Sequence, residues 1–167
     1  VLPSVGRRFF FAIMFEIVLV EPEIPHNAGA AGRLAVATGS RLHLIKPLGF
    51  SLDEKAVRRA GLDYWKHVDL VVWESWADYQ AAHPETRQWF LSTKGTGHLW
   101  KTPFAQGDHL IFGAETRGLS PEIRASASPG QLLRIPMAAG PIRSLNLSTS
   151  IGIVLYEACR QVGEGLN

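Results

Sequence analysis

The sequence has a single cysteine, Cys159, among 167 residues. One thiol excludes an internal disulfide framework and any zinc cluster built on cysteines. Its simplest reading is a reduced, buried side chain in a cytosolic protein. Charge of one sign is scarce too: 17 Lys and Arg stand against 15 Asp and Glu, a surplus of +2. A surplus that small does not announce a polyanion binder, because an electrostatic footprint depends on clustering and not on the total. Its distribution favours the first part of the chain, with nine basic and six acidic residues through Lys66 and eight and nine after it. A polyanionic partner is therefore expected to meet the first half. No apolar run is long enough to cross a membrane, and no repeat, linker or low-complexity stretch interrupts the chain. A length of 167 residues predicts one domain, large enough to bury about 70% of the surface it exposes when unfolded.

Common chemical signatures are missing as well. A dinucleotide fold needs G-x-G-x-x-G after its first strand and an acidic residue at the end of its second; here the first turn reads Asn27-Ala28-Gly29-Ala30-Ala31-Gly32 and the second strand runs into Lys46-Pro47. Lys94-Gly95-Thr96-Gly97 has the wrong order for a Walker loop. The six histidines are scattered singly, no set of His, Asp and Glu has metal-ligand spacing, and G-x-S-x-G does not occur. No metal is expected.

What is present is an alternation of short apolar runs with amphipathic segments. Strands are predicted at Phe15–Val20, Arg41–Ile45, Val68–Trp73, Trp89–Ser92, His109–Phe112 and Leu132–Ile135. Helices are predicted from an Asn27 cap to Thr38, from an Asp53 cap to Ala60, from a Ser75 cap to Ala82, over Pro121–Ala127 and over Leu145–Val162. This order gives an α/β domain with a mainly parallel six-stranded sheet flanked by helices. Residues 1–13 read differently. Arg7-Arg8 and the apolar Phe9–Ile13 have the flavour of a signal peptide but lack a small-residue cleavage site. The expected natural start is Met14, with 1–13 an upstream or non-native leader and 14–167 one domain.

In parallel sheets, ligands sit beyond the carboxyl ends of the strands, and the loops there are rich in Gly and polar residues: Pro25–Gly29, Thr93–Gly97, Gly113–Gly118 and Pro136–Asn146. Three ordered segments, Asn27-Ala28-Gly29 with Arg33, Phe112-Gly113-Ala114-Glu115-Thr116-Arg117-Gly118-Leu119, and Ile135-Pro136-Met137 with Arg143-Ser144-Leu145-Asn146-Leu147-Ser148, resemble the three motifs of the SPOUT class of S-adenosylmethionine-dependent RNA methyltransferases. Glu21-Pro22-Glu23-Ile24-Pro25 and Arg58–Tyr64 bring the likeness nearest to the minimal members that act on the wobble nucleotide of tRNA. The resemblance spans Met14 to about Val162, with the loop Ala138–Ile142 one residue longer than the pattern.

That resemblance implies a C-terminal trefoil knot, which the general rules of chain topology do not supply. It implies methyl transfer from S-adenosyl-L-methionine to the ribose 2′-hydroxyl of cytidine or uridine 34 of tRNA, in the cytoplasm. Another tRNA or rRNA site, or a non-catalytic RNA- or nucleotide-binding module of the same fold, is the alternative. The positions matching the donor contacts are Leu91, Gly113, Ile135, Ser144 and Leu145; the catalytic candidates are Arg33, Asn27, Glu115, Ser144 and Asn146. A guanidinium keeps its proton to a pKa of about 12.5 or higher, so Arg33 is read as orienting the hydroxyl or a phosphate, although the class also offers it as a base. Glu115 is expected to fix Arg33, to meet the donor or to cap a helix; Ser144 and Asn146 touch ligand or cap the last helix. Lys55, Arg58 and Arg59, at i, i+3 and i+4, form a basic face for RNA, followed by Lys66 with Trp65 for stacking. The helix Leu147–Val162 is apolar over more of its girth than one core needs, with Ile153 and Tyr156 widening the stripe, which predicts a homodimer through it.

Overall fold

The β-branched run that follows Met14 becomes β1 (Glu16–Val20), an interior strand of the sheet. The computed structural model describes residues 12–53, 55, 63–163 and 166. Around β1 lie β2 (Arg41–Ile45), β3 (Leu70–Trp73), β4 (Gln88–Leu91), β5 (Gly97–His98), β6 (His109–Phe112) and β7 (Leu132–Arg134). Their order is β3-β2-β1-β6-β4-β7-β5, and every pairing is parallel. The sheet has seven strands rather than the expected six. The extra one, β5, is two residues long at the edge beside β7, too short to carry a period that sequence could reveal. Strand β3 starts at Leu70 rather than Val68, because the Val68 amide closes a 3₁₀ turn over Trp65–His67 by donating to the Trp65 carbonyl at 3.0 Å.

Among the described residues four α-helices cover the two faces: α1 (Pro25–Thr38), α2 (Trp76–Ala82), α3 (Pro121–Ser126) and α4 (Leu147–Val162). Ser75 caps α2 as expected, accepting from the Asp78 amide, and Gly39 ends α1 in the left-handed conformation. Asn27 does not cap α1. The helix starts two residues earlier with Pro25 in its first turn, and Ile24 in the cap position offers no side-chain acceptor. The expected helix from Asp53 to Ala60 lies outside the described residues except for Asp53 and the helical Lys55.

Period-2 alternation divides the core. Ile17, Leu19, Leu42, Leu44, Leu110 and Phe112 point to one face, under α1 and α4, where Ala31, Ala35, Ile151, Val154, Leu155 and Ala158 meet them. Val18, Val20, Ile45, Phe90 and Ile111 point to the other, against Tyr79 of α2 and Ile123 of α3. Among the described residues no helix is long and apolar enough to cross a membrane.

Histidines expected to stand singly converge on this second face. His43 accepts from Trp73 Nε1 at 2.9 Å through Nδ1, which leaves its Nε2 to donate to Glu16 at 2.7 Å. His109 contacts the Tyr79 hydroxyl through Nδ1, and His83 stacks edge-on at 5.0 Å from His109. Burial, opposed by Glu16 and assisted by His83 and His43, lowers the His109 pKa from 6.5 to about 4. The unfolded chain therefore binds the extra proton first, so the stability that neutral His109 contributes is complete above pH 6.5 and lost as pH falls toward 4. Denaturant titrations should show a loss of about 2 kcal/mol between pH 7 and pH 5, with His109→Asn flattening that difference.

Candidate functional site

The register of the sheet sets the site. Leu91 at the carboxyl end of β4 is paired with Phe112 of β6 on one side and with Leu133 of β7 on the other. The chain leaves these three strands at Ser92, Gly113 and Ile135, and the loops that follow enclose a cavity of about 360 Å³ with the segment entering α4. It sits where parallel sheets bind ligands, beyond the strand ends, and its size suits a small-molecule cofactor. Leu91, Gly113, Ile135, Ser144 and Leu145, the five positions expected to hold the donor, all line it.

Gly113 is required by close approach. A β-carbon there would come 2.1 Å from the Gly118 carbonyl carbon and 2.2 Å from the Leu119 nitrogen, because Gly113–Leu119 folds back on itself through the Ala114–Gly118 bridge. That turn presents Glu115 to the start of α1. The Glu115 carboxylate accepts from the Glu23 amide at 2.7 Å, the Ile24 amide at 3.0 Å and Asn27 Nδ2 at 3.1 Å. It thus caps α1 from 91 residues away in sequence, and buried Asn27 is its partner inside the first turn. Burial raises the Glu115 pKa, but the donors from Glu23, Asn27 and Ile24 outweigh it and hold the carboxyl below its ordinary value. Thr116 Oγ1 donates to Glu23 at 2.7 Å and Arg117 pairs with Glu21, completing a clasp between the loops after β1 and β6.

Glu115 therefore neither fixes Arg33 nor caps α3, which has its own cap in Ser120. Arg33 is exposed on α1, outside the cavity of its own chain, with its guanidinium 5.2 Å from the centroid of the Tyr64 ring. Asn27 and Arg33 are not brought together: six helical residues put them on different sides of α1. Asn146 caps α4, its Oδ1 accepting from the Ser148 amide at 2.9 Å, the Ser148 hydroxyl at 2.6 Å and the Thr149 amide at 3.3 Å, and it does not line the cavity. Ser144 does line it. On the expected RNA face, Lys55 and Lys66 are exposed and Arg58 and Arg59 lie outside the described residues. Trp65 packs against the core beside Gly32 rather than standing free for stacking.

The cavity wall also carries cations that no sequence motif singles out as site residues, Lys94, Arg117, Arg124, Arg134 and Arg143. Each lies in or next to a loop already marked as facing the site, Arg124 excepted, so counting charge by loop instead of by half-chain finds most of them. Among the described residues no group of His, Cys, Asp or Glu is placed to hold a metal ion.

With this geometry in hand, likeness to known proteins becomes informative. Residues 14–156 match the model of the SpoU rRNA Methylase family. A protein of Polaromonas sp. strain JS666 named tRNA (cytidine(34)-2′-O)-methyltransferase is 50% identical over 153 residues, covering 90% of this chain and 92% of that one. A solved structure described as "Structural insights into the 2-OH methylation of C/U34 on tRNA" superposes with a TM-score of 0.83 at 46% identity, over 90% of this chain and 97% of that one. The SpoU methyltransferase AviRb from Streptomyces viridochromogenes, in complex with the cofactor AdoMet, superposes with a TM-score of 0.76 at 25% identity, over 97% of this chain and 66% of that one.

Proposed function

Because the chain belongs to the SpoU rRNA methylase family, whose fold carries the C-terminal trefoil knot, we propose that it transfers a methyl group from S-adenosyl-L-methionine to the ribose 2′-hydroxyl of cytidine or uridine 34 in tRNA. The observation that carries this reading is the 50% identity to the Polaromonas enzyme over 92% of that protein's length: the two chains align over nearly the whole of both. The cavity fits the donor. Leu91, Ile135 and Leu145 offer apolar surface to a purine, the bare backbone at Gly113 admits close approach, and Ser144 supplies a hydroxyl. When bound, S-adenosylmethionine brings a methyl group already activated on a sulfonium. What remains for the protein is to hold the donor, exclude water and align the ribose hydroxyl.

Glu115 is the carboxylate in the cavity wall, and its oxygens are engaged by three N–H donors. It is a positioning residue, with Asn27 as its partner, and not the base. The hydroxyl proton passes to solvent water at the open mouth, and its loss is promoted by the cations there, which favour the alkoxide electrostatically. Arg33 orients the hydroxyl or its neighbouring phosphate in a homodimer. Its helix α1 packs against α4, and both leave apolar residues exposed, Val36 at 40% and Tyr156 at 47%, so association through α4 brings α1 to the interface. Lys55, Arg58, Arg59 and Lys66 extend the RNA contact, and the protein works in the cytoplasm on its tRNA.

Incubation with methyl-labelled donor and bulk tRNA, followed by mapping of the labelled nucleotide, should place the methyl group on the 2′-oxygen of nucleotide 34. Label at another position, or none, overturns the assignment. Sedimentation at micromolar concentration should give the mass of a dimer.

A further inference from the structure

The donor cavity has the wrong charge for its donor alone. S-adenosylmethionine carries a sulfonium and an ammonium against one carboxylate, so it is a net cation, yet Lys94, Arg117, Arg124, Arg134 and Arg143 all line the wall. The single carboxylate among the lining residues, Glu115, is consumed by the clasp on α1. One guanidinium can pair with the donor's carboxylate; the others would repel the donor unless an anion arrives with it. Arg117 is partly spoken for by Glu21, while among the described residues no carboxylate pairs with Lys94, Arg124, Arg134 or Arg143. Lys94, Arg134 and Arg143 are solvent-exposed, so they form the mouth rather than the floor. The line continues along the sheet edge: Arg134 is in register with His98 of β5, and two residues beyond His98 stands Trp100, 54% exposed.

We propose that Lys94, Arg134 and Arg143 form the main grip on the tRNA phosphate backbone flanking the modified nucleotide, with Trp100 at the far end of the track as a platform on which a base stacks. The inference rests on the methyltransferase reading above and names the residues that bring its RNA to the cavity. Uncompensated cations favour an anionic partner, and a cationic track ending in an exposed aromatic matches the two contacts a single strand offers, phosphate and base face.

The test uses the full-length chain, tRNA binding at several salt concentrations, and calorimetry with S-adenosylmethionine alone. For Arg134→Gln combined with Arg143→Gln, tRNA affinity should fall about tenfold or more and the log–log salt slope should become shallower by about 1.4, the release expected for two phosphates on a single strand. Donor affinity should stay within about twofold, which also reports that the variant is folded. Trp100→Ala should weaken tRNA binding about tenfold with the salt slope unchanged. The proposal is overturned if the double variant binds tRNA with the parent's affinity and slope, or if it loses donor and tRNA together, since the arginines then serve the donor. Equal slope changes from Lys55→Gln with Lys66→Gln and none from the double arginine variant would move the grip to the first half of the chain. An active parent with an unmoved arginine variant sinks the track alone, whereas a parent that binds no donor and methylates no tRNA sinks the functional reading as well.

Discussion

Gly113→Ala should abolish binding of S-adenosylmethionine while costing about 3 kcal/mol of folding stability, the upper end of what one added methyl does in a packed site. The added carbon would fall 2.1 Å from the Gly118 carbonyl carbon, 2.2 Å from the Leu119 nitrogen and 2.6 Å from the Gly118 oxygen. All three are backbone atoms, so no rotamer change relieves the overlap; either β6 or the returning loop must move. Leu119 is buried at 2% exposure in the second core cluster, which pins the return. The movement therefore falls on Ala114–Gly118, the turn that forms the cavity wall and carries Glu115. Calorimetry with the donor and denaturant unfolding check both parts. Gly140→Ala is the control: nothing lies within 4 Å of a β-carbon there, so parent-like stability and donor binding are expected. A Gly113→Ala protein with parent-like donor affinity would mean that the wall tolerates a shift that its packing denies.

The strands were legible because a parallel sheet buried on both faces writes itself as short β-branched and aromatic runs, and Ile17, Val18, Leu19 and Val20 are such a run. What pairs with what was not. Nothing local in His109–Phe112 says that it inserts between β1 and β4, since register depends on contacts far apart in sequence. The donor positions were found through resemblance, and the geometry explains why they meet: Leu91, Gly113 and Ile135 are at, or one residue beyond, the ends of three strands in one register, and Ser144 and Leu145 come from the segment that enters α4 across them.

One site residue misled because a side chain's partner is chosen in space. Asn27 has the chemistry of an N-cap and stands near a helix start, yet Pro25 begins the helix earlier and a carboxylate from another loop takes the capping role. The charge count by halves pointed the RNA at the first half of the chain. In the fold, five of the eight basic residues of the acidic second half line the cavity, because three of the four loops that meet at the carboxyl edge come from there. Charge that cancels along the sequence does not cancel across a surface.

Glu115→Ala should lower stability by about 3 kcal/mol and weaken donor binding at least tenfold, by loosening the cavity wall. The carboxylate receives three N–H groups, and hydrogen bonds to a charged group contribute about 1.5–3 kcal/mol each when intact, less where water can replace them. Water can reach the amides of half-buried Glu23 and exposed Ile24 more easily than the Asn27 amide, which is buried at 4% exposure and would be left without its acceptor. Glu115→Gln keeps one oxygen but turns an N–H toward a donor, so about half the loss is expected. The same carboxylate fixes a pH dependence. Its folded pKa lies below its unfolded value, so its contribution is fully present above the ordinary carboxylate range and is lost as pH falls through the depressed folded value. The acid-side loss assigned to His109 occurs at higher pH, between 6.5 and about 4, which separates the two in a titration of unfolding free energy. His109→Asn should remove the upper step and leave the lower; Glu115→Ala should remove part of the lower and leave the upper. If Glu115→Ala keeps parent-like donor affinity while losing stability, the clasp holds only α1 and the cavity wall stands without it.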